Sequence, residues 1–168
     1  MGHKLYLIAD NLRSAHNVGA LLRLSEGLGV SEIFLCGITP YPRLKERDTR
    51  PPYLAEKINR RIAKTSLGAE ISQAWSYESK TVNVLAKLQR VGVEIIGLEQ
   101  DTLAIRLDSY KPKTDVALVV GNELDGISEE VLKLCSKIVE IPMVGKKESF
   151  NVSTAAAMAL YYLTYAII

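Results

Sequence analysis

A chain of 168 residues is about one domain and long enough to bury a core, and its 48% hydrophobic and 24% charged content excludes wholesale disorder. Cys36, Cys135 and two histidines stand in no metal-ligand spacing, so no metal site is expected, and reduced thiols in a cytoplasmic protein are the default. The net charge of +2 conceals an asymmetry: residues 40–64 carry +5 and the remainder −3, a block that suits either a phosphate-binding surface or a solvated loop.

In chain order, Leu5-Tyr-Leu-Ile-Ala9 reads as a buried strand, and the charged and polar residues around it (Lys4, Asp10, Asn11, Arg13) argue against a signal peptide. The polar loop from Asp10 to Gly19 runs into a helix. There Val18, Leu21, Leu22, Ser25 and Leu28 share one face and Gly27 and Gly29 close it, leaving Arg23 off the apolar stripe. Ile33-Phe-Leu-Cys36 is a second strand. Pro40, Pro42, Pro51 and Pro52 then argue against regular structure until about Ala55, with a short helix over Lys57 to Ala63.

Val82, Leu85, Leu88 and Val91 mark another amphipathic helix, ended by Gly92, and Val93 to Leu98 a third strand. A polar connection containing Pro112 leads to a strand at Val116-Ala-Leu-Val-Val120, a helix over Glu129 to Cys135, a strand from Ile138 towards Met143 and a last helix. That helix is uncharged from Ser149 onward but too polar at its start to span a bilayer, so burial in a core or a dimer interface is expected. Strands alternating with helices predict an α/β fold, a mostly parallel sheet flanked by helices, in one domain over residues 1–168.

Two buried strands end in loops of small and polar residues, and in parallel sheets such carboxyl ends are where ligands bind. Gly121-Asn-Glu-Leu-Asp-Gly126 suits either a plain turn or a close backbone approach to a ligand; it is neither a phosphate loop nor a calcium loop. In Ser149-Phe-Asn-Val-Ser153, Asn151 or Ser153 would serve as a helix N-cap. Arg13 and Arg23 each suit a phosphate clamp or a solvated surface.

Taken together and in order, the Asn11–Arg23 stretch, the Gly121–Gly126 loop, and Ile141-Pro-Met143 ending in Ser149-Phe-Asn-Val-Ser153 resemble the three signature motifs of the SPOUT superfamily of RNA methyltransferases, in its SpoU/TrmH branch. The resemblance covers nearly the whole chain. It implies an α/β fold with a C-terminal trefoil knot whose loops bind S-adenosylmethionine, a homodimer, and methyl transfer to a ribose 2′-oxygen of tRNA or rRNA. On that analogy Leu98, Gly121, Glu123, Ile141, Met143, Ser149 and Asn151 hold the cofactor. Arg23 matches the catalytic arginine, supported by Asn17, Glu123, Ser149 and Asn151. Because arginine hardly deprotonates, its implied role is electrostatic stabilisation of the developing alkoxide. The uncharged last helix becomes dimer interface, with Ala155-Ala-Ala157 permitting close approach.

Arg13, Arg43, Lys45, Arg47, Arg50, Arg60 and Arg61 are the candidates for RNA contact. Phe150 departs from the smaller aliphatic residue usual at its position. A base-methylating relative, an RNA-binding protein that kept the fold and lost the activity, and a membrane-anchored protein stand as alternatives.

Overall fold

The computed structural model describes residues 3–44, 46 and 48–166; Lys45 and Arg47 lie outside the described residues. The strands are β1 (Leu5–Asp10), β2 (Glu32–Cys36), β3 (Trp75–Glu78), β4 (Glu94–Leu98), β5 (Ile105–Arg106), β6 (Val116–Val120) and β7 (Lys137–Glu140). They form one seven-stranded sheet in the order β3-β2-β1-β6-β4-β7-β5, with every pairing parallel. The helices are α1 (Ala15–Gly27), α2 (Pro52–Ser66), α3 (Ala69–Ser72), α4 (Thr81–Arg90), α5 (Glu129–Leu132) and α6 (Val152–Ala166).

A parallel sheet covered on both faces buries successive residues on opposite sides. In β6, Val116, Leu118 and Val120 enter one core with Leu21 and Leu22 of α1, Ile62 of α2 and Leu160 of α6. Ala117 and Val119 enter the other, with Leu85 and Leu88 of α4 and Val131 of α5. α1, α2 and α6 thus cover one face, α4 and α5 the other. β7 sits between β4 and β5 although it follows both in sequence, so residues 99–104 have to pass around it to join its two neighbours. The long connection that follows is held down by Tyr110, whose buried hydroxyl donates to Glu94 (2.7 Å) and whose carbonyl accepts from the Tyr162 hydroxyl of α6 (2.7 Å).

Several elements differ from the sequence expectation. α2 begins at Pro52, well before Lys57, because proline is tolerated in the first helical turn, where its missing N–H has no partner to lose. Its inward residues Ala55, Ile58, Ile62 and Ser66 recur at helical spacing beneath a heavily charged exterior. β3 escaped notice because Trp-Ser-Tyr-Glu is an edge strand with little apolar content. Beyond Leu132, Leu134 and Cys135 donate to carbonyls three residues back, so the expected longer helix tightens into turns. β7 stops at Glu140, two residues before Pro142.

One close approach fixes α2 against α1. At Gly19 of α1 a Cβ would overlap the Ile62 carbonyl oxygen and the Thr65 hydroxyl of α2, and that hydroxyl donates to the His16 carbonyl at 2.8 Å. Gly27, at the end of the same helix, has open space where a Cβ would stand. Gly19→Ala is therefore expected to destabilise the fold by about 1–3 kcal/mol by forcing α1 and α2 apart. Gly27→Ala should be neutral or stabilising by up to ~1 kcal/mol. Urea unfolding of both variants checks this, and equal effects would exclude the close approach as the cause.

Candidate active site

The carboxyl ends of β4, β6 and β7 open onto a cavity of about 350 Å3, capped by the start of α6. Ligand cavities are commonly of this size and position in parallel sheets. Leu98, Gly121, Glu123, Ile141, Ser149 and Asn151 all line it, so sequence segments more than 50 residues apart meet at one wall. Met143 does not line it and lies half-buried outside. Phe150 also faces the cavity.

The geometry of the wall comes from one carboxylate. Glu123 accepts the backbone N–H groups of Arg13 (2.8 Å) and Ser14 (3.0 Å) and the Asn17 side-chain amide (2.9 Å). It therefore sits at the N-terminus of α1, where free amides and the helix dipole both favour negative charge. Burial pushes its carboxyl upward, but the hydrogen bonds from Arg13, Asn17 and Ser14 outweigh that and hold it below the usual glutamate range. Asn17 in turn accepts from the Asn151 side-chain amide at 3.3 Å. Asn151 also caps α6, its oxygen accepting from the Ser153 N–H (2.9 Å) and hydroxyl (2.7 Å).

Hydrogen bonds hold the Gly121–Gly126 loop in place. Asn122 and Gly126 exchange backbone hydrogen bonds of 2.9 Å, and the Asn122 side chain donates to the Asn11 carbonyl at 2.8 Å, tying this loop to the one after β1. A Cβ on Gly121 would overlap the backbone of Gly126 and Ile127, so only glycine fits there. Glu99 accepts from the Ile127 N–H (2.9 Å) and borders the cavity, a role the sequence reading missed. Its place immediately after Leu98, at a strand's carboxyl end, was the available signal.

A family model described as "SpoU rRNA Methylase family" matches residues 4–161. The chain belongs to the SpoU rRNA methylase family. It is 31% identical to a 23S rRNA (guanosine-2'-O-)-methyltransferase RlmB of Xanthomonas axonopodis pv. citri over 95% of this chain and 58% of that protein. It is also 31% identical to a tRNA (guanosine(18)-2'-O)-methyltransferase of Aquifex aeolicus over 94% of this chain and 67% of that protein. An AdoMet-bound rRNA methyltransferase of Sinorhizobium meliloti superposes with a TM-score of 0.82 at 18% identity, covering 100% of this chain and 58% of that one, and shows the shared fold. The chain thus spans somewhat under three fifths of the rRNA-enzyme relative that it matches.

Not every residue assigned by resemblance to the SpoU site meets the cavity. Arg23 is exposed on α1 and borders a separate depression with Lys64 and Thr65 of α2. Arg13 is exposed, with only its backbone engaged by Glu123. Arg43 and Arg60 both reach Glu56, at 3.5 and 3.8 Å, and Arg61 is exposed.

Arg50 is committed elsewhere. Its guanidinium lies 3.6 Å from the Tyr41 ring centroid, pairs with Asp48 at 2.6 Å and donates to the carbonyls of Tyr41 (2.9 Å) and Pro42 (3.2 Å). The Arg50 fork holds the Asp48 carboxyl far below the usual range. Arg50 therefore ties Tyr41, Pro42 and Asp48 together, and its expected phosphate contact is not carried further. Among the described residues no helix is long and apolar enough to cross a membrane, and no group of three or more His, Cys, Asp or Glu side chains is placed to hold a metal.

Within α6, Ala155 lines the cavity, Ala156 is buried in the core and Ala157 is half-buried. The outward stripe of α6 is Thr154, Met158, Tyr161 and Tyr165.

Because the Glu123 carboxyl is depressed in the fold, its contribution to stability is present above the ordinary glutamate value near ~4.3 and is lost as pH falls through the lower folded value. Glu123→Gln should lower the unfolding free energy by about 1 kcal/mol at neutral pH. The difference from wild type should close on acidification below the ordinary glutamate range. Urea titrations across pH read this out, and a pH-independent difference would remove the charge from the account.

Proposed function

We propose that this chain is a single methyltransferase domain that transfers a methyl group from S-adenosylmethionine to a ribose 2′-oxygen of tRNA or rRNA, acting as a cytoplasmic homodimer. The observation that carries the reading is the hydrogen-bonded chain Glu123–Asn17–Asn151, one residue from each motif, whose two end residues line the cavity. The names of the relatives, both guanosine 2′-O-methyltransferases, point the same way. We also infer the trefoil knot implied by the resemblance; the insertion of β7 between β4 and β5 supports it.

The cavity suits the cofactor on its own terms. Its volume is right for a nucleoside carrying an amino-acid tail, and Gly121 leaves the loop backbone open to a close ligand. Leu98 and Ile141 offer apolar surface for a purine ring, while Ser149 and the loop backbone offer hydrogen-bonding groups. Bound there, the cofactor supplies a methyl already activated by its sulfonium centre. The protein's task is then to align the ribose oxygen and to favour its deprotonation. Glu123 and Asn17 fix the wall against which Asn151 and Ser149 are presented, and Arg23 stabilises the negative charge that develops on the oxygen.

Arg23 and the cavity belong to different surfaces of one chain, which supports a site completed by a second subunit. The outward α6 stripe is uncharged, with Tyr161 and Tyr165 about 60% exposed, and suits such a contact. The basic residues Arg13, Arg43, Arg60 and Arg61 are the proposed RNA contacts.

Isothermal titration with S-adenosylmethionine, alongside a sizing measurement, should show saturable binding, stoichiometric per subunit, in a dimer. Methyl transfer to bulk tRNA and rRNA should then yield 2′-O-methylated nucleoside, sought first at guanosine. Arg23→Ala should keep cofactor binding and lower turnover by about 10²-fold or more. Gly121→Val should abolish cofactor binding. A folded dimer that binds no cofactor would overturn the reading, and an Arg23→Ala variant with wild-type turnover would remove Arg23 from the mechanism.

A further inference from the structure

The depression between α1 and α2 is walled by two cations and no carboxylate. It has a volume of about 680 Å3, and Arg23 and Lys64 face it alongside Ala20, Leu24 and Thr65. Its existence follows from the close approach at Gly19. With no side chain there, α2 lies against α1, Thr65 bonds the His16 carbonyl, and Lys64 in the last turn of α2 reaches the side of α1 that carries Arg23.

The rest of α2 continues this chemistry. Its inward residues are Ala55, Ile62 and Ser66. Its outward residues Tyr53, Lys57, Arg60 and Lys64 recur at i, i+4, i+7 and i+11, one face of a helix, with Arg61 beside them. Glu56 is shared between Arg43 and Arg60 through half-exposed contacts that contribute little energy but hold both cations over this face. Lys57, Arg61 and Lys64 have no ion pair among the described residues. Tyr53, at the far end, is 75% exposed. From Tyr53 to Lys64 the face is roughly 16 Å long.

A row of cations, three of them without an ion pair among the described residues, that ends at a depression walled by Arg23 and Lys64 and begins with one exposed aromatic ring, matches a nucleic-acid strand. Phosphates answer the row of charges, and an unpaired base answers the ring. A membrane surface would need a broad apolar flank, and this face has a single ring.

We propose that the outward face of α2 is a track for the backbone of single-stranded RNA, on which Tyr53 stacks an unpaired base and Lys64 holds a phosphate jointly with Arg23 beside the reacting nucleotide. The proposal rests on the RNA methyl-transfer reading and adds its direction: the strand runs along α2 towards Arg23. Lys64 is a substrate-binding residue on this account, and Arg23 the one that acts on the reacting oxygen.

The test is fluorescence anisotropy with labelled bulk tRNA and with labelled fragments of deproteinised 23S rRNA, over a series of salt concentrations. The triple variant Lys57→Gln, Arg61→Gln, Lys64→Gln should reduce the slope of log affinity against log salt by about two for a single strand. A triple of equal charge change on the opposite face of the sheet, Lys87→Gln, Arg90→Gln, Lys133→Gln, should leave the slope as in wild type. Tyr53→Ala should weaken binding by roughly tenfold with the slope unchanged. Lys64→Gln alone should raise KM for RNA and leave kcat nearly intact, the opposite of Arg23→Ala.

Unchanged calorimetric binding of S-adenosylmethionine marks each variant as folded. If wild type binds RNA and the α2 triple matches it, or if both triples lose equally, the track is overturned while the methyl-transfer reading stands. If wild type binds neither RNA, the RNA reading fails and the track with it.

Discussion

The arrangement of the site depends on a carboxylate placed against the start of a helix. Glu123 meets the amides of Arg13 and Ser14 and the side chain of Asn17, and all three are donors that the α1 N-terminus would otherwise leave to water. Satisfying them from the loop after β6 pins that loop to the loop after β1. Asn17, held by Glu123 through its amide, keeps its oxygen free for Asn151, and Asn151 is itself the cap of α6. One ionised group thus sets the relative placement of three segments that the sheet alone brings only into the same neighbourhood.

The second constraint is the absence of side chains where backbones cross. Strand pairing fixes the spacing of β1, β6 and β4, but the loops beyond them have to fold back within van der Waals contact of one another to enclose a cavity. Gly121 and Gly126 allow this. The first lets the loop close on itself, and the second adopts a positive φ of 70° against the Glu99 carboxylate. Gly19 does the same work between helices, and the depression that holds Arg23 and Lys64 exists only because α2 can come so close. The cavity side and the basic side of the molecule are shaped by the same device.

Much of this was legible in the chain. β1, β4 and β6 show as apolar runs because strands buried on both faces have no polar alternation to blur them, and α1 and α4 show as clean helical stripes. Of the cofactor residues assigned by resemblance, all but Met143 line the cavity, since motif residues at strand ends are placed by the sheet itself. What was hidden depended on partners distant in sequence. α2 was shortened because its prolines read as breakers when one of them is a helix start. Arg50 looked like any other basic residue until Asp48 and Tyr41 were beside it. Glu99 carries no motif at all, and its function is defined by the Ile127 amide that it accepts from.

α1 then separates two kinds of chemistry. Asn17 and Arg23 are six residues apart, a rotation of about 240° on an ideal helix, so they point to different sides of α1. Asn17 belongs to the wall organised by Glu123, and Arg23 to the basic depression shared with Lys64. The two surfaces are separated by the body of α1. In the homodimer proposed above, one chain's Arg23 face would meet the other chain's cavity. The uncharged outward stripe of α6, on a helix packed beside α1, is placed to make the contact. The proposed homodimer thus answers the helical geometry of α1, and the basic face of α2, which lies outside the cavity, is where the proposed RNA track would lead a strand towards Arg23.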